Sequence, residues 1–346
     1  MSKITSHRGA SAHGLGRRAA LGVLGGGLLA AVVAGCSRES AQAPATPAAT
    51  PEAAAATVRI APLHAFNFLT LAHQSGGIDA AVKAANGSVD WKPSFPAYVP
   101  TAEALRGGSV DIGSGSSTSF LAASTADKDL VVFAVEKSSG KDQGIVATGV
   151  SGIRSIPDLV GKKIAVNKGG TGEYLLRLAL ARHDIPVEKV TVVYLGPTDA
   201  ATAFAQGHVD AWAVWEQFFA AGQAEPGARV IAYASDIGSL NRNVHVTTRK
   251  FAQAHPALVK AVYDALRKEA EAVQAAPGRV ADLNEREGVP KAVADIIRQV
   301  PPSTVVQADE ALLREFQEIA DFYARHGLSP QPIDVKGTTY DVLAAQ

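Results

Sequence analysis

The strongest constraint on the fold is a unit used twice. Ala104-Leu105-Arg106-Gly107-Gly108-Ser109-Val110-Asp111 has its counterpart about a hundred residues later in Ala203-Phe204-Ala205-Gln206-Gly207-His208-Val209-Asp210. Each copy predicts a helix closed by glycine, whose missing Cβ tolerates the left-handed turn after the last helical residue, and then Val-Asp opening a strand. An earlier pair follows the same plan. Val58-Arg59-Ile60-Ala61 predicts a strand, followed by the loop Pro62 to Asn67 and a helix that stops at Gly76-Gly77. Lys163-Ile164-Ala165-Val166 predicts a second strand, then the glycine-rich loop Asn167 to Gly172 and a helix from Glu173 to Arg182. Helices alternating with short apolar strands imply an α/β fold with mostly parallel sheets, and the doubled unit implies two similar lobes. After Asp236 the pattern changes. Phe251 to Ala276 predicts one amphipathic helix with Pro256 in its first turn, and Leu312, Phe316, Ile319 and Tyr323 mark another that Gly327 ends. Apolar stripes at this spacing are core.

The first fifty residues stand apart from that pattern. Arg8, Arg17 and Arg18 precede an apolar Ala/Gly-rich run from Ala19 to Ala34, too short for the ~20 residues of a membrane span and flanked as a signal peptide is. Gly16-Arg17-Arg18-Ala19-Ala20-Leu21 resembles a twin-arginine (Tat) export signal, and Val33-Ala34-Gly35-Cys36 resembles a lipobox, which would make Cys36 the acylated first residue of a mature lipoprotein. Acyl chains contribute ~0.8 kcal/mol per buried CH₂, so stable anchoring takes more than one chain, as a diacylglycerol group provides. The Ala/Pro/Thr-rich stretch that follows cannot build a core and is expected to be a tether. Cys36 is the single cysteine, which excludes disulfides, thiolate metal clusters and a cysteine nucleophile in the folded part. With 33 basic and 33 acidic residues the formal net charge is zero, and no basic block follows the signal, which argues against a nucleic-acid surface.

Four segments together carry a family resemblance: Glu103 to Gly113, Ser155 to Val166, Gly170-Thr171-Gly172-Glu173-Tyr174-Leu175-Leu176, and Gly207-His208-Val209-Asp210-Ala211-Trp212-Ala213-Val214-Trp215-Glu216. In this order and spacing the chain resembles the sulfonate/taurine/nitrate-type solute-binding proteins of ABC importers, a group that also holds thiamine-precursor binders and synthases. The likeness runs from Val58 to about Pro256. It departs from the usual pattern at Gln217, where a proline is common, and at Gly170 and Glu173, where a serine and a histidine are common. The resemblance implies a two-lobed type II periplasmic-binding-protein clamshell with two chain crossovers, near 138–144 and 237–245. The expected organisation is a signal peptide over 1–36, a tether over 37–56, lobe 1 over 57–140, lobe 2 over 141–240, and a return to lobe 1 over 241–346. It further implies a monomer on the extracytoplasmic face, held to the membrane at Cys36, that hands a small organic anion to a permease and ATPase. An alkyl or aryl sulfonate is the leading ligand, with nitrate, aromatic carboxylate and thiamine precursor as alternatives.

A delocalised anion needs several hydrogen-bond donors at once, and helix N-termini supply them. Ser114, Gly115, Ser116, Ser117 and Thr118 immediately before apolar Phe120-Leu121 are candidates, although the run alone is equally a well-capped helix entry. Gly170, Thr171 and Gly172 are the candidates in the opposite lobe; neither a P-loop nor a dinucleotide fingerprint is present. Of Trp212 and Trp215, one is expected in the core and the other, with Tyr174, against the ligand's tail. Glu216 either pairs with a ligand ammonium or makes a hinge salt bridge; Arg242 and His245 are candidate positive charges, and His64 a candidate contact from the loop after the first strand. No cofactor and no metal is expected, since no metal-ligand spacing occurs among the nine histidines. The fold also hosts a sulfinate desulfinase that uses a cysteine nucleophile and thiamine-pyrimidine synthases. The cysteine is missing here from the folded part, and no Gly-x-Ser-x-Gly elbow stands on a strand-to-helix turn, so no catalytic residue is assigned. A ligand-sensing lipoprotein is the remaining alternative.

Overall fold

In the computed structural model, which describes residues 56–65, 67–124, 128–329 and 331–344, the doubled unit builds two sheets. The expected signal peptide, Cys36 and nearly all of the expected tether lie outside the described residues; Ala56, assigned to the tether from the sequence, already opens a strand. The chain first forms β1 (Ala56–Ala61), α1 (Phe68–Gln74), α2 (Gly77–Ala84), β2 (Gly87–Trp91), α3 (Tyr98–Arg106), β3 (Ile112–Ser116), α4 (Ser117–Ser124) and β4 (Leu130–Lys137). It then forms β5 (Gln143–Ala147), β6 (Lys163–Val166), α5 (Thr171–Ala181), β7 (Thr191–Tyr194), α6 (Pro197–Ala205), β8 (Ala211–Trp215), α7 (Glu216–Ala224) and β9 (Arg229–Tyr233). It closes with β10 (Asn243–Thr248), α8 (Arg249–Ala254), α9 (Pro256–Ala275), α10 (Arg279–Arg286), α11 (Lys291–Ile297), β11 (Thr304–Gln307) and α12 (Glu310–Arg325).

The first sheet runs β2-β1-β3-β10-β4-β11 and the second β7-β6-β8-β5-β9. The shared part of the order is the same in both: second strand, first strand, third strand, then a strand inserted antiparallel, then the next. The inserted strands are β10 and β5, which pair antiparallel with both neighbours, while β1–β2, β1–β3, β6–β7 and β6–β8 are parallel. Both inserted strands enter their sheet directly from a crossing between the lobes. A chain arriving at the end where the parallel strands stop has to run back along them, so the crossings dictate the antiparallel insertions.

The repeated glycine and aspartate have separate jobs. Gly108 and Gly207 take φ of 66° and 69°, the left-handed exit expected after α3 and α6. Asp111 N–H donates to Arg59 O at 2.8 Å while Asp111 Oδ2 accepts from Arg59 N–H at 2.8 Å; Asp210 and Lys163 make the same reciprocal pair at 2.8 Å each. In both lobes the aspartate locks the third strand's start onto the first strand. The expected single helix from Phe251 to Ala276 is two helices instead. Proline has no N–H to continue α8 and constrains the residue before it, so His255 (φ −134°, ψ 54°) breaks the run and Pro256 starts α9. Gly76-Gly77 ends α1 as expected, yet α2 starts again at Gly77.

The C-terminal helices reach both sheets. α11 packs against α7. From α12, Phe322 and Tyr323 place their rings 5.4 and 6.1 Å from that of Tyr174 on α5. One buried apolar cluster accordingly runs from Ala61 and Phe120 through Leu175 to Phe316.

Candidate ligand-binding site

The C-terminal ends of β1, β3, β6 and β8 converge with the two crossings on a cleft with about 570 Å³ of empty space, open solvent included. Parallel strand ends are where loops of an open α/β sheet gather their ligands. His64 and Asn67 come from the loop after β1, Gly115 and Ser116 from β3, Asn167 from the loop after β6, Thr171 from the start of α5, Trp215 from the end of β8 and Glu216 from the start of α7. Gln143, Asn241 and Asn243 come from the crossings and their first residues.

Asn241 ties these pieces together. Its Oδ1 accepts from Thr118 N–H at 3.3 Å and Thr118 Oγ1 at 2.8 Å, while its Nδ2 donates to Gln143 Oε1 at 2.9 Å and Thr171 Oγ1 at 3.1 Å. One amide, 3 % exposed, thus joins α4 of the first lobe, α5 of the second and the first crossing. Gln217 Nε2 adds a bond to His64 O at 3.1 Å across the cleft. The lobes also approach at Gly170: a Cβ there would overlap Asn167 Nδ2 and stand 3.2 Å from Ser119 Oγ.

The start of α4 is self-satisfied. Ser117 N–H donates to Arg242 O at 2.8 Å, Thr118 N–H to Asn241 Oδ1, and Ser119 N–H to Ser116 Oγ at 3.2 Å. The expectation that this helix end offers its backbone donors to an anion is therefore corrected: those donors hold the second crossing and the cap. The hydroxyls of Ser116 and Ser119, 2.8 Å apart, lie in the wall. Ser114 sits in β3 facing His245, and Ser117 and Thr118 point at Asn241 and Arg242. Gly115 is required by a ring, since a Cβ there would overlap Tyr98. At α5 no side chain caps Gly170; Asn167 Oδ1 accepts from Gly172 N–H at 2.8 Å, and a Cβ at Gly172 would overlap Ala213 O.

Trp212 is the core tryptophan, 2 % exposed, with Phe204 and Phe218 rings 6.0 and 6.2 Å away; Trp215 is the one on the cleft. Tyr174 does not join it. Its ring packs under α12, and burial pushes its hydroxyl up to about 12. Arg242 and His245 do not reach the cleft either. Arg242 Nε lies 3.3 Å from Glu315 Oε2 on α12. His245, fully buried in β10, has Nδ1 2.9 Å from Ser114 Oγ and Nε2 2.9 Å from Glu136 Oε1. Both belonged to the predicted crossing. Asn243, on the same face of β10 as His245, sits at the strand's first residue and lines the cleft, whereas His245 lies one step deeper, under Ser114 and Glu136.

Glu216 follows Trp215 at φ 50°, a left-handed conformation uncommon outside glycine. Its N–H donates to Asp142 O at 2.6 Å and its Oε1 accepts from Asn243 Nδ2 at 2.6 Å. Burial, aided by nearby Glu136 and Asp142, pushes this carboxyl up to about 8 against the opposing pull of the Asn243 bond. Asp142 is raised by burial too. Among the described residues no group of His, Cys, Asp and Glu side chains converges as a metal ion would need.

The chain belongs to the NMT1/THI5-like family, whose model matches residues 88–280. It is 32 % identical over 247 residues to a putative aliphatic sulfonates-binding protein of Escherichia coli (strain K12), covering 70 % of this chain and 76 % of that one. A protein of the same description from Bacillus subtilis (strain 168) is 26 % identical over 283 residues, covering 81 % and 84 %. Among solved structures, the alkanesulfonate-binding protein SsuA from Xanthomonas axonopodis pv. citri, bound to MOPS, superposes with a TM-score of 0.75 at 28 % identity, covering 82 % of this chain and 98 % of that one. The two-lobed periplasmic-binding fold is thus the fold of this chain. The likeness to the desulfurization enzyme DszB (TM-score 0.59, 16 % identity) is one of fold.

Proposed function

We propose that this protein is an extracytoplasmic solute-binding lipoprotein of an ABC importer, and that it captures an alkyl or aryl sulfonate in the cleft and delivers it to a permease. The observation that carries the ligand class is the neutral character of the polar wall: Asn67, Gln143, Asn167, Ser116 and Thr171 stand around the cleft with Trp215, while Asn241 gives both its N–H bonds to Gln143 and Thr171. A sulfonate stays ionised in such surroundings without a paired cation, and many modest donors suit its three oxygens. Glu216 in the wall repels it little at neutral pH, because burial pushes that carboxyl up to about 8 and keeps it mostly protonated there. Trp215 offers a flat apolar face to the tail. The names of the relatives support the same ligand.

Because Asn241, Gln143 and Thr171 belong to both crossings and both lobes, a ligand held there favours the closed form to the extent that it prefers it. Tethering at Cys36 would keep the loaded protein near its permease. The test is a thermal-shift and calorimetric screen with alkyl and aryl sulfonates, taurine, nitrate, an aromatic carboxylate and a thiamine pyrimidine. Sulfonate binding at a hundred times Kd adds about 2.7 kcal/mol of stability. A response to the carboxylate or pyrimidine alone overturns the sulfonate, and silence across the panel overturns the importer reading. Radiolabelled palmitate entering wild type but not Cys36→Ser tests the anchor.

A further inference from the structure

The cleft does not end at Glu216 and Asn243. Both residues also line a second cavity, with about 790 Å³ of empty space, open solvent included, against about 570 Å³ for the cleft. The two side chains meet at 2.6 Å, Glu216 Oε1 accepting from Asn243 Nδ2, so a hydrogen-bonded pair stands in the wall that the two spaces share. Beyond that pair the lining changes with the element that supplies it.

The side next to the crossings is polar and largely occupied. Glu136 Oε1 accepts from Phe68 N–H at 2.8 Å and lies 2.9 Å from His245 Nε2, and Asp142 Oδ1 accepts from Ser138 Oγ at 3.0 Å. Both carboxyls line this chamber and neither lines the cleft, so an anionic head belongs in the cleft; Lys141, which also lines the chamber, is exposed. The far side, from α9 to the loop after α11, is mostly apolar. Val280, Ile296, Ile297 and Val300 are only half-buried and leave apolar surface around the space. α9 stops at Ala275 ahead of Pro277, and α11 at Ile297 ahead of Pro301-Pro302, so prolines end both helices and the chain bends round the chamber. Pockets for organic ligands are of this size, about 300–1,000 Å³, and have this mainly apolar lining with a few polar groups.

We propose that the chamber takes the tail of the ligand whose sulfonate head is held in the cleft, and that the protein accordingly selects sulfonates with a long apolar body over methanesulfonate or taurine. The tail runs past Trp215 and parts the Glu216–Asn243 pair. This rests on the cleft reading for the head; the place of the tail is the new element.

The experiment is calorimetric titration of the full chain with methane-, butane- and octanesulfonate, with octanoate as the matched carboxylate. Each methylene that leaves water for the chamber should tighten binding about fourfold, so octanesulfonate should bind at least tenfold tighter than butanesulfonate. Val280→Trp and Ile297→Trp fill the chamber from walls that do not reach the cleft. They should weaken octanesulfonate at least tenfold and leave butanesulfonate within twofold, with a cooperative thermal melt showing that they are folded. Should they fail to fold, amide chemical shifts in wild type decide the matter: differences between the octane and butane complexes centred on 273–303 support the chamber, and differences confined to the cleft overturn it. Octanesulfonate binding no tighter than butanesulfonate, or binding unweakened in both folded tryptophan variants, overturns the tail's place and leaves the cleft reading standing. Octanoate bound without any sulfonate, and lost in the same variants, overturns the sulfonate head and supports the chamber. Binding of neither overturns both.

Discussion

β3 and β8 hold the same place in their sheets, next to the inserted antiparallel strand, yet they end in opposite chemistry. β3 ends in Gly113-Ser114-Gly115-Ser116, narrow enough for Thr101 and Tyr98 to press against its backbone. The helix that follows satisfies its own first donors. β8 ends in Trp212-Ala213-Val214-Trp215, followed by Glu216 in a left-handed conformation with a buried, protonated carboxyl. The repeat therefore supplies a shared frame, with the same strand order and the same Asp-to-first-strand lock, and the strand ends supply the difference. The first lobe is finished before a ligand arrives. The second carries the cleft's aromatic and acidic wall.

The largest effect should separate the two tryptophans of β8. Trp212→Ala empties the second lobe's core and should cost about 3–5 kcal/mol in urea unfolding. Trp215→Ala should cost less than about 1.5 kcal/mol in stability but lower sulfonate affinity at least tenfold, a loss of about 1.4 kcal/mol. Equal stability losses would erase the distinction between core and wall. Next comes Asn241→Ala, which strands buried partners on both lobes at once. A stability loss of about 1–3 kcal/mol is expected together with weaker sulfonate binding. If stability fell while affinity held, Asn241 would be a strut and no part of the site.

The frame was largely legible in the sequence because glycine and aspartate act through the backbone. Gly108 and Gly207 need no knowledge of neighbours to be recognised as helix exits, and the strands around 58–61 and 163–166 alternate with helices in plain view. The site was half legible. His64, Ser116, Thr171, Trp215 and Glu216 meet at one cleft, as strand-end positions should. Arg242 and His245 were expected there because their charge attracts an anion, but His245 lies deeper along β10 than Asn243, and Glu315 on α12, distant in sequence, holds Arg242. Asn241, Asn243, Asn167 and Gln143 were missed: neutral amides carry no local signal, and their role exists only once the two crossings lie side by side. Position within the predicted second crossing was the one hint that pointed to Asn241.

The acid at the end of β8 predicts a pH dependence that β3 cannot show. Folding lifts the Glu216 carboxyl from an ordinary 4.5 to about 8, so the folded state keeps a proton that the unfolded chain has released. Stability from this group is intact below about pH 4.5 and declines as pH rises towards 8, with a slope of up to about 1.4 kcal/mol per pH unit. Asp142, raised by burial, acts in the same direction. In Glu216→Gln the decline in urea midpoint between pH 5 and 8 should shrink by one proton's worth. An unchanged slope would show that Glu216 ionises normally and would remove the reason it can line an anion's cleft.

Arg242→Ala should have the smallest effect on ligand affinity, and it tests the first lobe's self-sufficiency. The guanidinium is paired with Glu315 on α12, both side chains about four-fifths buried (18 % and 22 % exposed), whereas its backbone N–H and C=O hold Ser117. Truncating the side chain leaves those backbone bonds in place, so α4 and Asn241 should stay where they are. The expected stability cost is about 1–3 kcal/mol, because Glu315, mostly buried, is left without its partner. Sulfonate affinity should move less than twofold at 150 mM salt, where the Debye length of about 8 Å damps what remains of the lost charge's reach. A tenfold loss of affinity would mean that the cation acts on the anion after all. The cleft would then work by charge rather than by neutral donors, and the contrast between a closed first lobe and a selective second one would fail.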